Sequence, residues 1–271
     1  MHFHPPTKPL ASLSAERLRG VRGVLTDIDD TLTRDHALDP AASAALEALH
    51  AAGIPVVAIT GRPQGWSEPF ALAWPVAAIV AENGAVVLIP EAGRLSIEYA
   101  QDEVTRTYNA ARLRAAAARI LREVPDATLA RDSAGRVTDI AVDHSEHARL
   151  DADRIARVVA LMQAQGMHAT VSSIHVNGWF GEHNKTTGAQ WIVRRLFGRD
   201  LDAERDRWIY VGDSTNDQAM FARFPLSVGV ANLMRFAAQL HTWPAYLAEG
   251  ERGEGFAQVA RTLLAAQAGT A

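Results

Sequence analysis

The chain has 271 residues, of which 48% are apolar and 21% charged, with a formal net charge of −4 and no cysteine. This composition supports a substantial core in one large domain or two of ordinary size, and it excludes disulfides, thiolate metal sites and cysteine nucleophiles. No basic stripe marks a nucleic-acid partner, and no apolar run approaches the roughly 20 residues that span a bilayer, so a soluble cytoplasmic protein is expected.

Residues 1–19 begin with a proline-containing stretch, Pro5-Pro6-Thr7-Lys8-Pro9, that lacks an apolar signal segment, and they are read as a flexible leader. Residues 23–26 predict a short buried strand that opens into Asp27-Ile28-Asp29-Asp30-Thr31. Ordinary core strands do not end in clustered acids. Carboxylates held together repel one another, and burying them is costly without a cation or proton, so a site for a hard divalent ion is the simplest explanation. Asp39-Pro40 predicts a helix start with Asp as N-cap and Pro at the first helical position. Residues 54–59 form an unbroken apolar run, as expected of a parallel strand covered on both faces. Trp66, Phe70 and Ala73 fit one face of a short helix, and residues 76–80 and 85–89 predict two strands around the turn signal Glu82-Asn83-Gly84.

The middle of the chain has a different grammar. A strand is predicted at 94–99 and a long alanine-rich helix at 102–124. Thr138, Ile140 and Val142 alternate with polar residues, as in a half-exposed antiparallel strand. A second helix at 150–165 and a strand at 169–176 follow. Residues 91–178 are therefore read as an inserted α+β module. The strand–helix alternation then resumes, with a helix at 186–197, a strand at 208–211, a helix at 217–224, a strand at 226–230 and a terminal helix carrying Phe256, Val259, Ala260 and Leu263. The fold class is α/β, a doubly wound parallel sheet built from residues 20–90 and 179–271.

Three predicted strand ends carry polar residues: Asp27 and Asp29, then Thr60-Gly61-Arg62, then Gly212-Asp213-Ser214-Thr215-Asn216-Asp217. In an open parallel sheet, ligands bind beyond the carboxyl ends of the strands, so these segments converge. Lys185 opens a helix nearby in this scheme and is one of only two lysines, with Lys8. This combination resembles the haloacid dehalogenase (HAD) superfamily. Asp27-Ile28-Asp29-Asp30-Thr31 matches its first motif, Thr60 its second, Lys185 its third and Gly212–Asp217 its acidic fourth. The insertion between the second and third motifs resembles a type-II cap, and Thr60-Gly61-Arg62, Glu82-Asn83-Gly84 and Gly255-Phe256-Ala257 resemble the IIB branch, which includes sucrose-phosphate, trehalose-phosphate and mannosyl-3-phosphoglycerate phosphatases and the eukaryotic phosphomannomutases.

The resemblance implies a Mg²⁺-dependent phosphatase of a small phosphorylated metabolite, a sugar phosphate or phosphoglycerate-type ester, acting through an aspartyl-phosphate. Asp27 would be the nucleophile and a metal ligand, and Asp29 the proton shuttle with its backbone carbonyl on the metal. Asp213 would be the best remaining metal ligand, Asp217 a further metal residue or, like Asn216, one that orients ligands or a metal-bound water, and Asn216 would also contact substrate. Thr60 and Lys185 would hold the phosphoryl oxygens, helped by Gly61, Arg62 and Asn83. His175 and Asn177 are candidates for reading the leaving group, whereas Trp179 suits ring stacking or packing, and His144 and His147 read as surface residues. Asp30 stands where Gly is commoner and has no assigned role. The alternatives are a phosphosugar mutase with the same core chemistry and a metabolite-binding protein with a vestigial site. A monomer or homodimer without nucleic-acid or membrane partners is expected.

Overall fold

The computed structural model describes residues 6–269. β1 (Lys8–Pro9) and α1 (Ala15–Arg19) come first, followed by β2 (Gly23–Thr26). A small hairpin of β3 (Thr33–Arg34) and β4 (Ala37–Leu38) leads into α2 (Pro40–Ala51) and β5 (Val56–Ile59). The Asp39 carboxylate accepts from the Ala41 amide at 2.9 Å and Pro40 occupies the first turn, so α2 starts where the cap chemistry predicts. α3 (Gln64–Ala73), β6 (Ala78–Ala81), β7 (Val86–Glu91) and β8 (Arg94–Tyr99) follow.

The chain then leaves the main sheet. α4 (Glu103–Glu123), β9 (Thr128–Leu129), β10 (Asp139–Asp143), α5 (Ala152–Gln163), β11 (His168–Val171) and β12 (His175–Trp179) build a separate four-stranded sheet, order β11-β12-β10-β9, with two helices packed on it. It returns through α6 (Lys185–Phe197), β13 (Trp208–Gly212), α7 (Gln218–Arg223), β14 (Ser227–Gly229), β15 (Tyr246–Leu247) and α8 (Arg252–Ala268).

The main sheet has nine strands in the order β1-β15-β14-β13-β2-β5-β6-β7-β8. From β1 to β6 all neighbours are parallel, while β7 and β8 are antiparallel. The reversal has a local cause. Only Glu82–Gly84 separates β6 from β7, too short for a crossover, and Glu82, Asn83 and Gly84 all take positive φ. Gly84 has φ +104 and an added Cβ would lie 2.1 Å from the Asn184 carbonyl oxygen, so glycine is required twice over. Separate apolar clusters cover the two faces of the sheet, one including Ile28, Leu46 and Phe256, the other Leu25, Ile192 and Tyr210.

The packing of β2 against β13 is tight. A Cβ on Gly23 would lie 2.4 Å from the Trp208 ring and 3.0 Å from the Pro55 carbonyl oxygen. Gly23→Ala is expected to cost about 1–3 kcal/mol through overpacking. Chemical denaturation with an unchanged m-value and a lower midpoint would show it; an unchanged midpoint would mean that the ring yields freely.

Four expectations need correction. Residues 8–19 are not a leader: Lys8 and Pro9 pair with Tyr246 and Leu247, and Leu10, Leu13 and Leu18 are buried. Pro9 lies in an edge strand, and the leucines behind it supply the burial. Residues 1–5 lie outside the described residues. Strand 94–99 pairs with β7, so it belongs to the main sheet, and the inserted module starts after it, later than residue 91. Residues 169–176 are two strands joined at Ser172, whose hydroxyl oxygen accepts from the Ile174 and His175 amides and turns the chain. The polar face of β10 does not face water: Asp139 and Asp143 are 3% and 2% exposed, and Asp139 meets Asn83 of the main unit and Asn177 of the neighbouring strand. Among the described residues, no helix is long and apolar enough to cross a membrane.

Candidate active site

β13, β2 and β5 are adjacent, with Thr26 level with Val211 on one side and Ala58 on the other. This register places the residues just after each strand beside one another. The Asp27 amide donates to the Val211 carbonyl at 2.9 Å, fixing the nucleophile candidate against β13. Opposite stands Lys185, the first residue of α6. The Asn184 side chain caps this helix through the Thr186 and Thr187 amides, which sets the direction in which the lysine enters.

Lys185 Nζ donates to Asp27 Oδ1 at 2.6 Å and to Asp217 Oδ1 at 2.8 Å, and all three side chains are buried. Burial pushes the Asp27 carboxyl up, Lys185 pulls it down, and Asp217 and Asp29 push it up again, leaving it at about 7. Burial disfavours the Lys185 ammonium, but the charges of Asp217 and Asp27 outweigh this and hold its pKa above the ordinary lysine range. Asp213 is fully buried, and burial with the Asp27 and Asp217 charges raises its pKa well above normal. Candidate ligand atoms of Asp27, Asp213 and Asp217 all lie within 4.8 Å of one another.

Asp217 is saturated. Oδ2 accepts from the Asp213 and Ser214 amides, and Oδ1 accepts from Lys185 and from the buried Tyr210 hydroxyl. With its acceptor positions engaged, this side chain anchors the loop and the lysine, which fits an orienting part better than direct ligation of a metal. Asp213 keeps more freedom: Asn232 donates to Oδ2 at 3.2 Å and Thr31 approaches Oδ1 at 3.4 Å. Several acids with one lysine leave negative charge in a buried place, and their oxygen donors suit a hard divalent cation.

Thr60 is buried at the end of β5, and its hydroxyl oxygen accepts from the Arg62 amide at 2.9 Å, which closes the turn and leaves its O–H free to donate. Arg62 does not reach toward the cluster as a free cation. Its guanidinium pairs with Asp29, Asp132 and Glu146, only 4% exposed and with Trp66 beneath it at 5.0 Å. The expected phosphate contact from Arg62 is therefore replaced by a bridge to the inserted module. Asp30, with φ +55, pairs with Arg252 at 2.9 Å, and its carbonyl accepts from Asn232, so it ties the loop to the start of α8.

The candidate leaving-group residues have protein partners. The Asn177 amide donates to the Gly61 carbonyl at 3.2 Å and to Asp139 at 3.1 Å, and Asn83 lies 3.5 Å from the same Asp139 carboxylate. His175 Nε2 pairs with Glu146 at 2.8 Å. Trp179 packs: it is 3% exposed, stacked between His168 and His183, with its indole N–H on the His183 carbonyl. His144 is buried, with Nε2 at 3.1 Å from the Ser172 carbonyl oxygen, against the surface position expected, whereas His147 is exposed. Asn216 is half-buried, accepts from Ser214 Oγ, and lines a cavity of about 580 Å³ together with Lys185, Asn83 and Trp179. A second cavity of about 400 Å³ opens on Asp29 and Asp213, between the β3–β4 hairpin at His36 and the module's Glu146 and Arg149.

Several partners take parts that the sequence does not assign to them. Glu82 is fully buried and accepts from the Gln64, Val137 and Thr138 amides and the Thr138 hydroxyl, docking the module on the main unit. Arg136 donates to the Gly61 carbonyl and to Asp139. Tyr210 sits mid-strand among apolar residues. Only the rule that a buried tyrosine seeks a partner could have marked it.

Residues 24–118 match the family of haloacid dehalogenase-like hydrolases. No curated protein matches the chain. Among solved structures, a Thermoplasma acidophilum protein superposes with a TM-score of 0.68 at 15% identity, covering 90% of this chain and 98% of its own. Sucrose-phosphatase from Synechocystis, solved with sucrose and phosphate, gives 0.63 at 17% identity, covering 90% and 98%. The C-terminal domain of trehalose-6-phosphate phosphatase from C. albicans gives 0.62 at 17% identity, covering 98% and 100%. At these identities the likeness is one of fold.

Proposed function

We propose that this chain, a haloacid dehalogenase-like hydrolase by its matching segment and its fold, is a divalent-metal-dependent phosphatase acting on a small sugar phosphate or related phosphorylated metabolite. The observation that carries the reading is the buried cluster of Asp27, Lys185, Asp213 and Asp217 at adjacent strand ends. Asp27 attacks phosphorus and the bond to the leaving oxygen breaks. Asp29 gives that oxygen its proton, then takes one from the water that hydrolyses the Asp27 acyl phosphate. Lys185 offsets charge on Asp27 and the transferring group, while the Thr60 hydroxyl donates to a phosphoryl oxygen. The Asp27 and Asp213 carboxylates and the Asp29 carbonyl would hold Mg²⁺, which when bound offsets phosphoryl charge. A chain without cysteine suits the reducing cytoplasm, where we place it.

Release of inorganic phosphate from p-nitrophenyl phosphate and a panel of sugar phosphates tests the reading. Turnover should need Mg²⁺, vanish with EDTA and return on readdition. Activity indifferent to both treatments would remove the metal role, and isomerised phosphosugar with little free phosphate would replace hydrolysis by a mutase. Metal binding must also displace the Asp27 proton, held at about 7 without a cation. Because burial also holds a proton on Asp213, the other carboxylate ligand, apparent Mg²⁺ affinity should rise by at least about tenfold per pH unit below about 7. Fluorescence titration of the metal between acid and neutral pH measures this, and a flat profile contradicts it.

A further inference from the structure

We propose that Glu146, on the inserted module, is a positioning residue that orients Asp29 through Arg62. The inference rests on the phosphatase reading of Asp29. Arg62 Nη2 donates to Glu146 Oε1 at 2.7 Å and lies 2.8 Å from Asp29 Oδ1, so the same edge of the guanidinium faces both carboxylates. Nε also donates to Asp29 at 2.9 Å, and Nη1 donates to Asp132 at 3.2 Å.

A guanidinium is planar, and its donors leave in fixed directions, so whatever sets its plane sets the carboxylate facing it. Here the plane is set largely from the module. Glu146 is itself held on its other side by His175 Nε2 at 2.8 Å, and His36 of the β3–β4 hairpin approaches it at 3.1 Å. The Arg62 and Glu146 side chains are 4% and 6% exposed, so water cannot readily substitute for a lost partner. Burial by itself would raise the Glu146 pKa, but the bonds from His175 and Arg62 outweigh it and hold the carboxyl below its usual range. The main unit supplies Asp29 and Arg62 and the module supplies the carboxylate that aligns them. The module thereby shapes the chemistry without touching the phosphoryl group.

The test is a double-mutant cycle on the full chain, read by steady-state hydrolysis of p-nitrophenyl phosphate with Mg²⁺. Glu146→Gln is expected to lower kcat about 10–100-fold with KM nearly unchanged. Glu146→Asp retains charge but falls short of Nη2, so it should lose a similar amount and serves if the Gln variant folds poorly. In an Arg62→Ala background the same Glu146 substitutions should cost less than twofold, because the route to Asp29 is already cut. A full Glu146 effect in that background overturns the proposal. So does unchanged kcat, or a loss confined to KM for a sugar phosphate, which would make Glu146 a reader of the leaving group. A wild-type protein without phosphatase turnover would instead sink the underlying functional reading.

Discussion

Asp27→Asn should abolish turnover, by at least about a thousandfold in kcat, while leaving the fold intact. The amide oxygen is a poor nucleophile and cannot carry the phosphoryl group as an acyl phosphate. The fold should tolerate the change because Asp27 adds strain of charge. Burial and the Asp217 and Asp29 charges raise its pKa to about 7, with Lys185 only partly compensating. Since the folded value exceeds the ordinary 3.8, the native state binds the extra proton. Its contribution to stability is full at low pH and is lost as pH rises toward 7. An uncharged Asn removes that penalty, and Lys185 retains Asp217 at 2.8 Å. The melting temperature above neutral pH should hold or rise. Full activity in this variant would refute the nucleophile assignment, and a large drop in melting temperature would show that Asp27 is structural.

Lys185→Met should be damaging in a different way. It keeps the length of the side chain and removes the one ammonium that faces Asp27 and Asp217. Breaking a buried pair from one side leaves the other charge uncompensated, at a cost of about 3–5 kcal/mol. Turnover should fall with it, because the phosphoryl group and the nucleophile lose their common counter-charge. The stability loss should depend on pH with a definite sign. At acid pH the Asp27 carboxyl holds its proton and needs no partner, so the deficit narrows. As pH rises through the Asp27 range the deficit should open. Urea denaturation of both proteins at acid and neutral pH measures it. Equal stability at neutral pH would mean that the ammonium is not the partner that the geometry makes it.

The sequence was most legible where chemistry and periodicity coincide. Asp27, Lys185 and Asp213 meet because an apolar strand ends at each acid and an Asn-capped helix begins at the lysine, and these are local signals. The inserted module was visible as a change from continuous apolar runs to alternation. Its edge was misplaced because β8 also alternates, and only pairing with β7 decides its sheet. Residues 8–19 were misread because prolines outweighed three buried leucines whose partners lie at the far end of the chain. Arg62 and Glu146 were beyond reach for the same reason. Their bond spans 84 positions, and nothing local distinguishes a bridging arginine from a phosphate-binding one.

The central claim is that the phosphoryl group passes through Asp27. Rapid acid quench of the enzyme during turnover of an accepted phosphate ester with Mg²⁺, then proteolysis and mass spectrometry, tests it most directly. The account predicts a phosphorylated peptide carrying Asp27, absent when EDTA is present and absent in Asp27→Asn. Phosphate released at full rate with no adduct on that peptide, or an adduct on another residue, would contradict it.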